Sequence, residues 1–100
     1  MLIIKSLVEN IREELEDVEK YAHEAIRVRM EDPALADMYA DLGNEEVKHA
    51  ERLHRFAVDL ISRKNGPDAP PAMRAIWEYE HKVMIEEMAK AKRLLEMARS

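Results

Sequence analysis

A Glu-x-x-His pattern occurs three times in this sequence, and its spacing is suited to binding a metal ion. On a helix, residues three apart lie on one face, so each pair presents a carboxylate and an imidazole from adjacent turns. Carboxylate and imidazole are both common ligands of first-row transition metals. The three pairs are Glu46/His49, Glu51/His54 and Glu78/His81.

Helical periodicity separates one pair from the other two. At about 100° per residue, Glu46 and His49 fall in the middle of an apolar stripe, between Leu42 and Leu53. The other two pairs turn away from the apolar stripes of their segments. We expect those pairs, like His23, to be solvated or to face a partner.

Further carboxylates fall within apolar stripes. Glu14 lies within the first stripe, and Glu80 and Glu87 flank Met84 in the third. An ionised carboxylate buried alone costs several kcal/mol, so such groups are either paired or hold a cation. For Glu80 and Glu87, packing against Arg side chains and joining a metal site both remain open. We expect Tyr21 to be half-buried at the edge of the first stripe, within reach of a ligand carboxylate.

Three long helices must position these residues. Asp32-Pro33 is an N-cap followed by Pro at the first helical position, and the Gly- and Pro-rich segment 65–71 stops a second helix. The remaining residues are mostly good helix formers. The sequence therefore predicts an all-α chain forming one domain over residues 1–100, with helices at about 2–31, 33–64 and 71–99.

Apolar stripes at helical spacing predict the core of a helical bundle. The first is Ile4, Leu7, Ile11, Leu15, Val18, Ala22 and Ala25; the second is Leu35, Met38, Leu42, Leu53, Phe56 and Leu60; the third is Met73, Ile76, Trp77, Val83, Met84, Met88, Ala91, Leu94 and Leu95.

The register of an antiparallel hairpin brings the polar residues of the stripes together. Folding the first two helices about residues 31–32 places Glu14 level with His49. Folding the last two about residue 68 places Glu87 level with His49 as well. We therefore expect Glu14, Glu46 and His49, with Glu87 as a further candidate, to meet near the middle of the molecule.

The number of ligands predicts association. A di-iron carboxylate site in a four-helix bundle takes a Glu from each of two helices and Glu-x-x-His from each of the other two. One chain supplies half of that set, as Glu14 and Glu46/His49. We therefore expect a long antiparallel hairpin plus a third helix, with the four-helix-bundle site completed in a homodimer or a higher homo-oligomer.

Composition sets the remaining limits. The 100 residues include 37% charged and only 5% aromatic residues, so the core is thin and aliphatic, and association would help to stabilise it. The absence of Cys excludes disulfides and rubredoxin-type iron. A net charge of −5 disfavours nucleic acid, and no signal-like or membrane-length apolar run occurs. We expect a cytoplasmic protein with no membrane partner.

Two separate segments resemble the ferritin-like superfamily, most closely its half-length branch, the encapsulated ferritins. They are Glu13-Glu14-Leu15-Glu16-Asp17-Val18-Glu19-Lys20-Tyr21 and Asn44-Glu45-Glu46-Val47-Lys48-His49-Ala50-Glu51, joined by a similar Asp32-Pro33-Ala34-Leu35 turn. The second segment is also similar to rubrerythrins, and Tyr79-Glu80-His81 is similar to their third helix. The resemblance covers roughly residues 10–55.

The resemblance implies a ferroxidase centre across a subunit interface, with Glu14, Glu46 and His49 as iron ligands and Tyr21 beside them. It implies a di-iron protein that oxidises Fe(II) for iron storage or detoxification. An encapsulin shell is an implied partner, although residues 96–100 lack the flexible tail that addresses cargo to such a shell. Two alternatives remain: a metal-free helical interaction module, and a structural metal site without redox turnover.

Overall fold

The structure, a computed structural model, describes residues 2–64 and 71–99, which form three long α-helices. They are α1 (Leu2–Val28), α2 (Pro33–Lys64) and α3 (Pro71–Arg99). No strand occurs within these described ranges. The predicted all-α class and the three helices are confirmed, except that α1 ends three residues earlier than expected. The predicted stop at residues 65–70 lies outside the described ranges.

The turn between α1 and α2 is held by local hydrogen bonds. The amides of Glu31 and Asp32 donate to the Val28 carbonyl over 3.0 and 2.8 Å, which closes the end of α1. The Leu35 amide donates to Asp32 Oδ1 over 3.1 Å, so Asp32 caps α2, and Pro33 occupies the first helical position, where no amide is needed. The cap therefore fixes where the antiparallel hairpin folds back.

The core follows the predicted stripe of α1. Six of its seven residues are buried, and Leu7 is half-buried. Opposite them, α2 contributes mainly small side chains, and α3 contributes Met and Leu from its second half. The buried residues of the two later helices are Ala36, Ala40, Val47, Ala50, Ala57, Leu60, Met84, Met88, Ala91, Leu95 and Ala98.

The predicted stripe of α2 forms only part of the core: Leu60 belongs to it, and Leu35 and Leu53 pack against it as partly buried side chains. Of its six residues only Leu60 is buried; the Leu side chains at 35, 42 and 53 are half-buried, and Met38 and Phe56 are exposed. The buried face lies on an adjacent flank and is built from Ala residues and Val47, because small side chains let helices approach closely. Larger apolar side chains therefore remain on a flank that no other helix covers.

Gly43 lies at a close approach between the helices. A Cβ added there would lie 2.9 Å from Leu95 Cδ1 and 3.6 Å from Tyr21 Cβ, so α1 and α3 both meet α2 at this point. A Gly inside a helix costs about 1 kcal/mol relative to Ala. Here the missing side chain leaves room for the buried Leu95.

Helix α3 lies along one flank of the hairpin. Arg12 donates to Glu80 over 2.5 Å, and Glu19 of α1 pairs with Lys90 over 3.8 Å. Glu51 of α2 pairs with Lys92 over 3.8 Å. At 100° per residue, Glu14 points about 160° away from Arg12, to the flank that α3 leaves open. In the described ranges, no helix is long and apolar enough to cross a membrane.

Candidate metal centre

Glu14 of α1 and Glu46 and His49 of α2 converge on the open flank of the hairpin. His49 Nδ1 lies 3.6 Å from Glu14 Oε2 and 3.8 Å from Glu46 Oε1. One donor atom from each of the three residues lies within 4.8 Å of the other two, and within the described ranges this is the one such group of three. The hairpin register expected from the Asp32-Pro33 turn therefore places Glu14 beside His49.

Burial of the three residues is unequal. The Glu14 and Glu46 side chains are half-buried, with 27% and 21% of their surface exposed, whereas that of His49 is 58% exposed. The expectation that His49 points into the core is wrong for the single chain. It lies on the same uncovered flank as the large apolar side chains of α2.

One carboxylate oxygen of Glu14 is buried without forming a hydrogen bond. Glu14 Oε2 is buried and has no hydrogen-bond partner among the described residues, and 3.6 Å to His49 Nδ1 is too long for a hydrogen bond. A buried acceptor left unpaired costs about 1–3 kcal/mol, and more when it carries a charge. A cation bound between the three side chains would remove that cost.

The three donors are more widely spaced than the ligands of a bound metal ion. Donor atoms bound at about 2.0–2.1 Å lie about 3.4 Å apart around a tetrahedral ion and about 3.0 Å apart at neighbouring octahedral positions. The two distances to His49, 3.6 and 3.8 Å, exceed these values by less than 1 Å, and all three donors lie within 4.8 Å of one another. Binding one ion would therefore draw the three side chains closer together. Three protein ligands from one chain leave further positions of the ion open.

Apolar side chains border this cluster. A cleft of about 310 Å³ beside Glu14 and His49 is walled by Leu7, Leu53 and Phe56, with Arg52 at its edge. Phe56 is 57% exposed. An exposed apolar patch bordered by polar side chains is typical of a contact between protein chains.

Tyr21 lies two turns beyond Glu14 on the same flank of α1. It is half-buried, as expected, and its ring stacks on Tyr39 with centroids 6.2 Å apart. The Lys20 ammonium lies 5.8 Å from the centroid of the same ring. No hydrogen bond between Tyr21 and a carboxylate occurs among the described residues, so its expected contact with a ligand is not made in the single chain.

The carboxylates of α3 lie away from this cluster. Glu80 pairs with Arg12, which is the Arg-packing alternative left open by the sequence. Glu87 lines a separate pocket between α1 and α3, together with Arg12, Leu15 and Lys90. Glu87 is a further candidate for the cluster because it lies level with His49 along the bundle. That level does not bring the two together, because α3 runs along the opposite flank of the hairpin.

In the other two Glu-x-x-His pairs, which we expect to be solvated or to face a partner, Glu78 is exposed but the two imidazoles are not. His54 and His81 are half-buried and stack on each other with centroids 4.9 Å apart and planes 5° from parallel. Trp77 stacks on His81 at 5.3 Å. The contact between His54 and His81 could have been predicted from the hairpin register. Folding α2 and α3 about residue 68 places His54 level with residue 82, beside His81. Their Glu partners do not join a metal cluster in the described ranges.

Comparisons with models of known protein families, with curated proteins and with solved structures find no match to this chain.

Proposed function

We propose that this protein binds Fe(II) through Glu14, Glu46 and His49, and that a second copy completes a di-iron site that oxidises the metal for storage or detoxification. The observation that carries the proposal is the convergence of these three donors around Glu14 Oε2, a buried carboxylate oxygen without a hydrogen-bond partner. His49 Nδ1 lies 3.6 Å from that oxygen, and a cation between them would bind both.

The chemistry of the donors favours iron as the substrate. Carboxylate oxygens are hard ligands that stabilise the ferric product, and imidazole is a ligand for both oxidation states. Two Fe(II) ions give up one electron each, and dioxygen takes both electrons with two protons to form hydrogen peroxide. The protein has to hold the two ions close together and leave an open position for the oxidant.

The uncovered flank supports a second copy of the chain as the source of the remaining ligands. Its surface combines the donor cluster with the apolar side chains of Leu7, Leu53 and Phe56. A two-fold axis near His49 would set the same six donors, three from each chain, around one pair of ions. It would also cover the half-buried apolar stripe of α2, which the single chain leaves in contact with water.

The test is iron oxidation by the purified full-length chain. Fe(II) is added without oxygen, air is then admitted, and the ferric absorbance is followed in the near ultraviolet. We expect a protein-dependent rise that Glu46→Ala abolishes and that Glu45→Ala, at the neighbouring exposed position, retains. An unchanged rise in the Glu46→Ala variant would contradict the proposal.

Solution mass separates the remaining alternatives. Metal-dependent dimerisation without oxidation would identify a structural metal site. A dimer that binds no Fe(II), Mn(II) or Zn(II) would identify a metal-free interaction module. A chain that remains monomeric with excess Fe(II) would exclude a shared centre.

A further inference from the structure

The first half of α3 is held less firmly than the second half. Every buried residue of α3 lies at or after Met84, and the described side chains from 71 to 83 are half-buried or exposed. The first half is joined to α1 by the Arg12–Glu80 pair, and the second half carries polar contacts from Lys90 to Glu19, from Lys92 to Glu51 and from Arg99 to Asp41. Segments without buried apolar side chains open at low free-energy cost.

In that first half, three aromatic rings connect α3 to α2. Trp77 lies on His81, and His81 lies on His54, at centroid distances of 5.3 and 4.9 Å. We call these three residues the histidine stack. His54 Nε2 is buried and has no hydrogen-bond partner among the described residues. Within the stack, the two imidazoles are therefore closely parallel, and one nitrogen of His54 is buried away from water.

We propose that the histidine stack is a pH-sensitive latch, which keeps the first half of α3 on α2 while His54 is neutral and releases it when His54 is protonated. A proton added at the buried His54 nitrogen has no acceptor to bond to among the described residues, and its charge lies against the parallel His81 ring. Burial first, and then the neighbouring His81, lower the pKa of His54 below its ordinary 6.5, in agreement with this geometry.

Charged side chains lie on all three helices around the stack. None of the ion pairs seen in the described ranges includes His54 or His81. Across the stack, Arg12 is engaged with Glu80, and Glu51 is engaged with Lys92. The other charged residues on the neighbouring stretches of the three helices are Lys5 and Glu9 on α1, Arg55 and Asp59 on α2, and Arg74, Glu78 and Lys82 on α3.

Release would open an apolar surface. Trp77 forms one wall of a cavity of about 350 Å³ between α1 and α3, whose other apolar walls are Ile4, Val8 and Ile76. If the first half of α3 leaves, both the indole and these walls meet water. The movement is therefore visible in the fluorescence of Trp77, the single Trp of the chain.

The test measures acrylamide quenching and the emission maximum of Trp77 in the full chain between pH 7.5 and 5.5, with a chelator present. We expect quenching to rise and the emission to shift to longer wavelength as the pH falls, with a midpoint below 6.5. Binding of an apolar dye is expected to rise over the same range, and returning to pH 7.5 is expected to reverse all three signals.

Two variants separate the latch from general acid sensitivity. His54→Phe keeps an aromatic ring in the stack but removes the site of protonation, so it is expected to lose the acid transition while circular dichroism shows the helices retained. His23→Gln, at an exposed position of α1, is the control and is expected to keep it. An unchanged transition in His54→Phe, or no transition in the natural chain, overturns the proposal. If His54→Phe fails to fold, the midpoint of the natural chain still decides, because a transition only above pH 6.5 also overturns it.

Discussion

Glu14→Gln is expected to make the metal-free protein more stable and, at the same time, to weaken its response to metal. The substitution keeps the shape of the side chain and removes one negative charge. In the metal-free protein, the carboxylate oxygens of Glu14 and Glu46 lie within 4.8 Å of each other, and Glu14 Oε2 has no partner. A carboxylate that is positioned to bind a cation lowers the stability of the fold when the cation is absent.

The magnitude follows from the distance. Two unit charges 4.8 Å apart repel by about 0.9 kcal/mol in water and by about 3.5 kcal/mol at an effective dielectric constant of 20. Because both side chains are partly exposed, the lower end applies, and we expect a gain of about 1 kcal/mol in the free energy of unfolding. For a chain of this length that corresponds to a rise of about 4–8 °C in Tm.

The response to metal changes in the opposite direction. At a free metal concentration 100 times the Kd, binding stabilises the natural protein by about 2.7 kcal/mol per site. If losing a direct ligand weakens binding about 100-fold, the same concentration equals the Kd of the variant and contributes only about 0.4 kcal/mol. The metal-induced rise in Tm should therefore nearly vanish.

The assay is thermal unfolding followed by circular dichroism, at one fixed protein concentration, with chelator or with Mn(II) as an ion that does not turn over. Glu13→Gln, at the exposed neighbouring position, is the control and should change neither value by more than about 0.5 kcal/mol. A Glu14→Gln protein that is less stable without metal, yet keeps its full metal response, would refute this account of the site.

Three further outcomes are expected. Phe56→Asp should lower the solution mass from dimer to monomer by placing a charge on the uncovered flank. Ile85→Asp, at an exposed position of α3, should leave the mass unchanged, and dimers that persist in the Phe56 variant would argue for another interface. Asp32→Ala should lower the free energy of unfolding, measured by urea denaturation, by about 1 kcal/mol, because it removes the cap on the Leu35 amide. Glu31→Ala should not lower it, and equal losses in both variants would show that the cap does not stabilise the fold. Folding lowers the pKa of His54, so the unfolded chain binds a proton at this residue first as the pH falls below 6.5. The free energy of unfolding should therefore decrease by at most about 1.4 kcal/mol per pH unit until the folded state is protonated too. Equal urea midpoints at pH 7.5 and 5.5 would contradict this.

The three helices and the start of α2 were predictable because local chemistry decides them, whereas the end of α1 was predicted three residues too late. The Asp32 carboxylate caps the Leu35 amide as its sequence position indicates, and the good helix formers on either side have no competing pattern. The meeting of Glu14 with His49 was predictable for the same reason: a short capped turn fixes the register of the hairpin.

The buried face of α2 was not predictable from hydrophobicity alone. The sequence offers two adjacent apolar flanks, one with large side chains such as Leu42 and Phe56, and one with small side chains such as Ala40 and Ala50. Size favours the first flank, but close helix packing selects the second, with Gly43 at a close approach. Likewise, whether His54 faces α3 depends on how α3 packs against α2. The periodicity of a single helix does not predict that packing.

The slender shape of the molecule gives the proposed centre a further role. The described chain extends 55 Å in one direction and only 17 and 16 Å in the others. Two such rods joined by aliphatic stripes could slide along each other, since one Leu or Met replaces another with little loss. Donors that must share an ion cannot slide, because a slip of seven residues would move them about 10 Å apart. In the proposed dimer, the incoming metal would select a single alignment of the two rods.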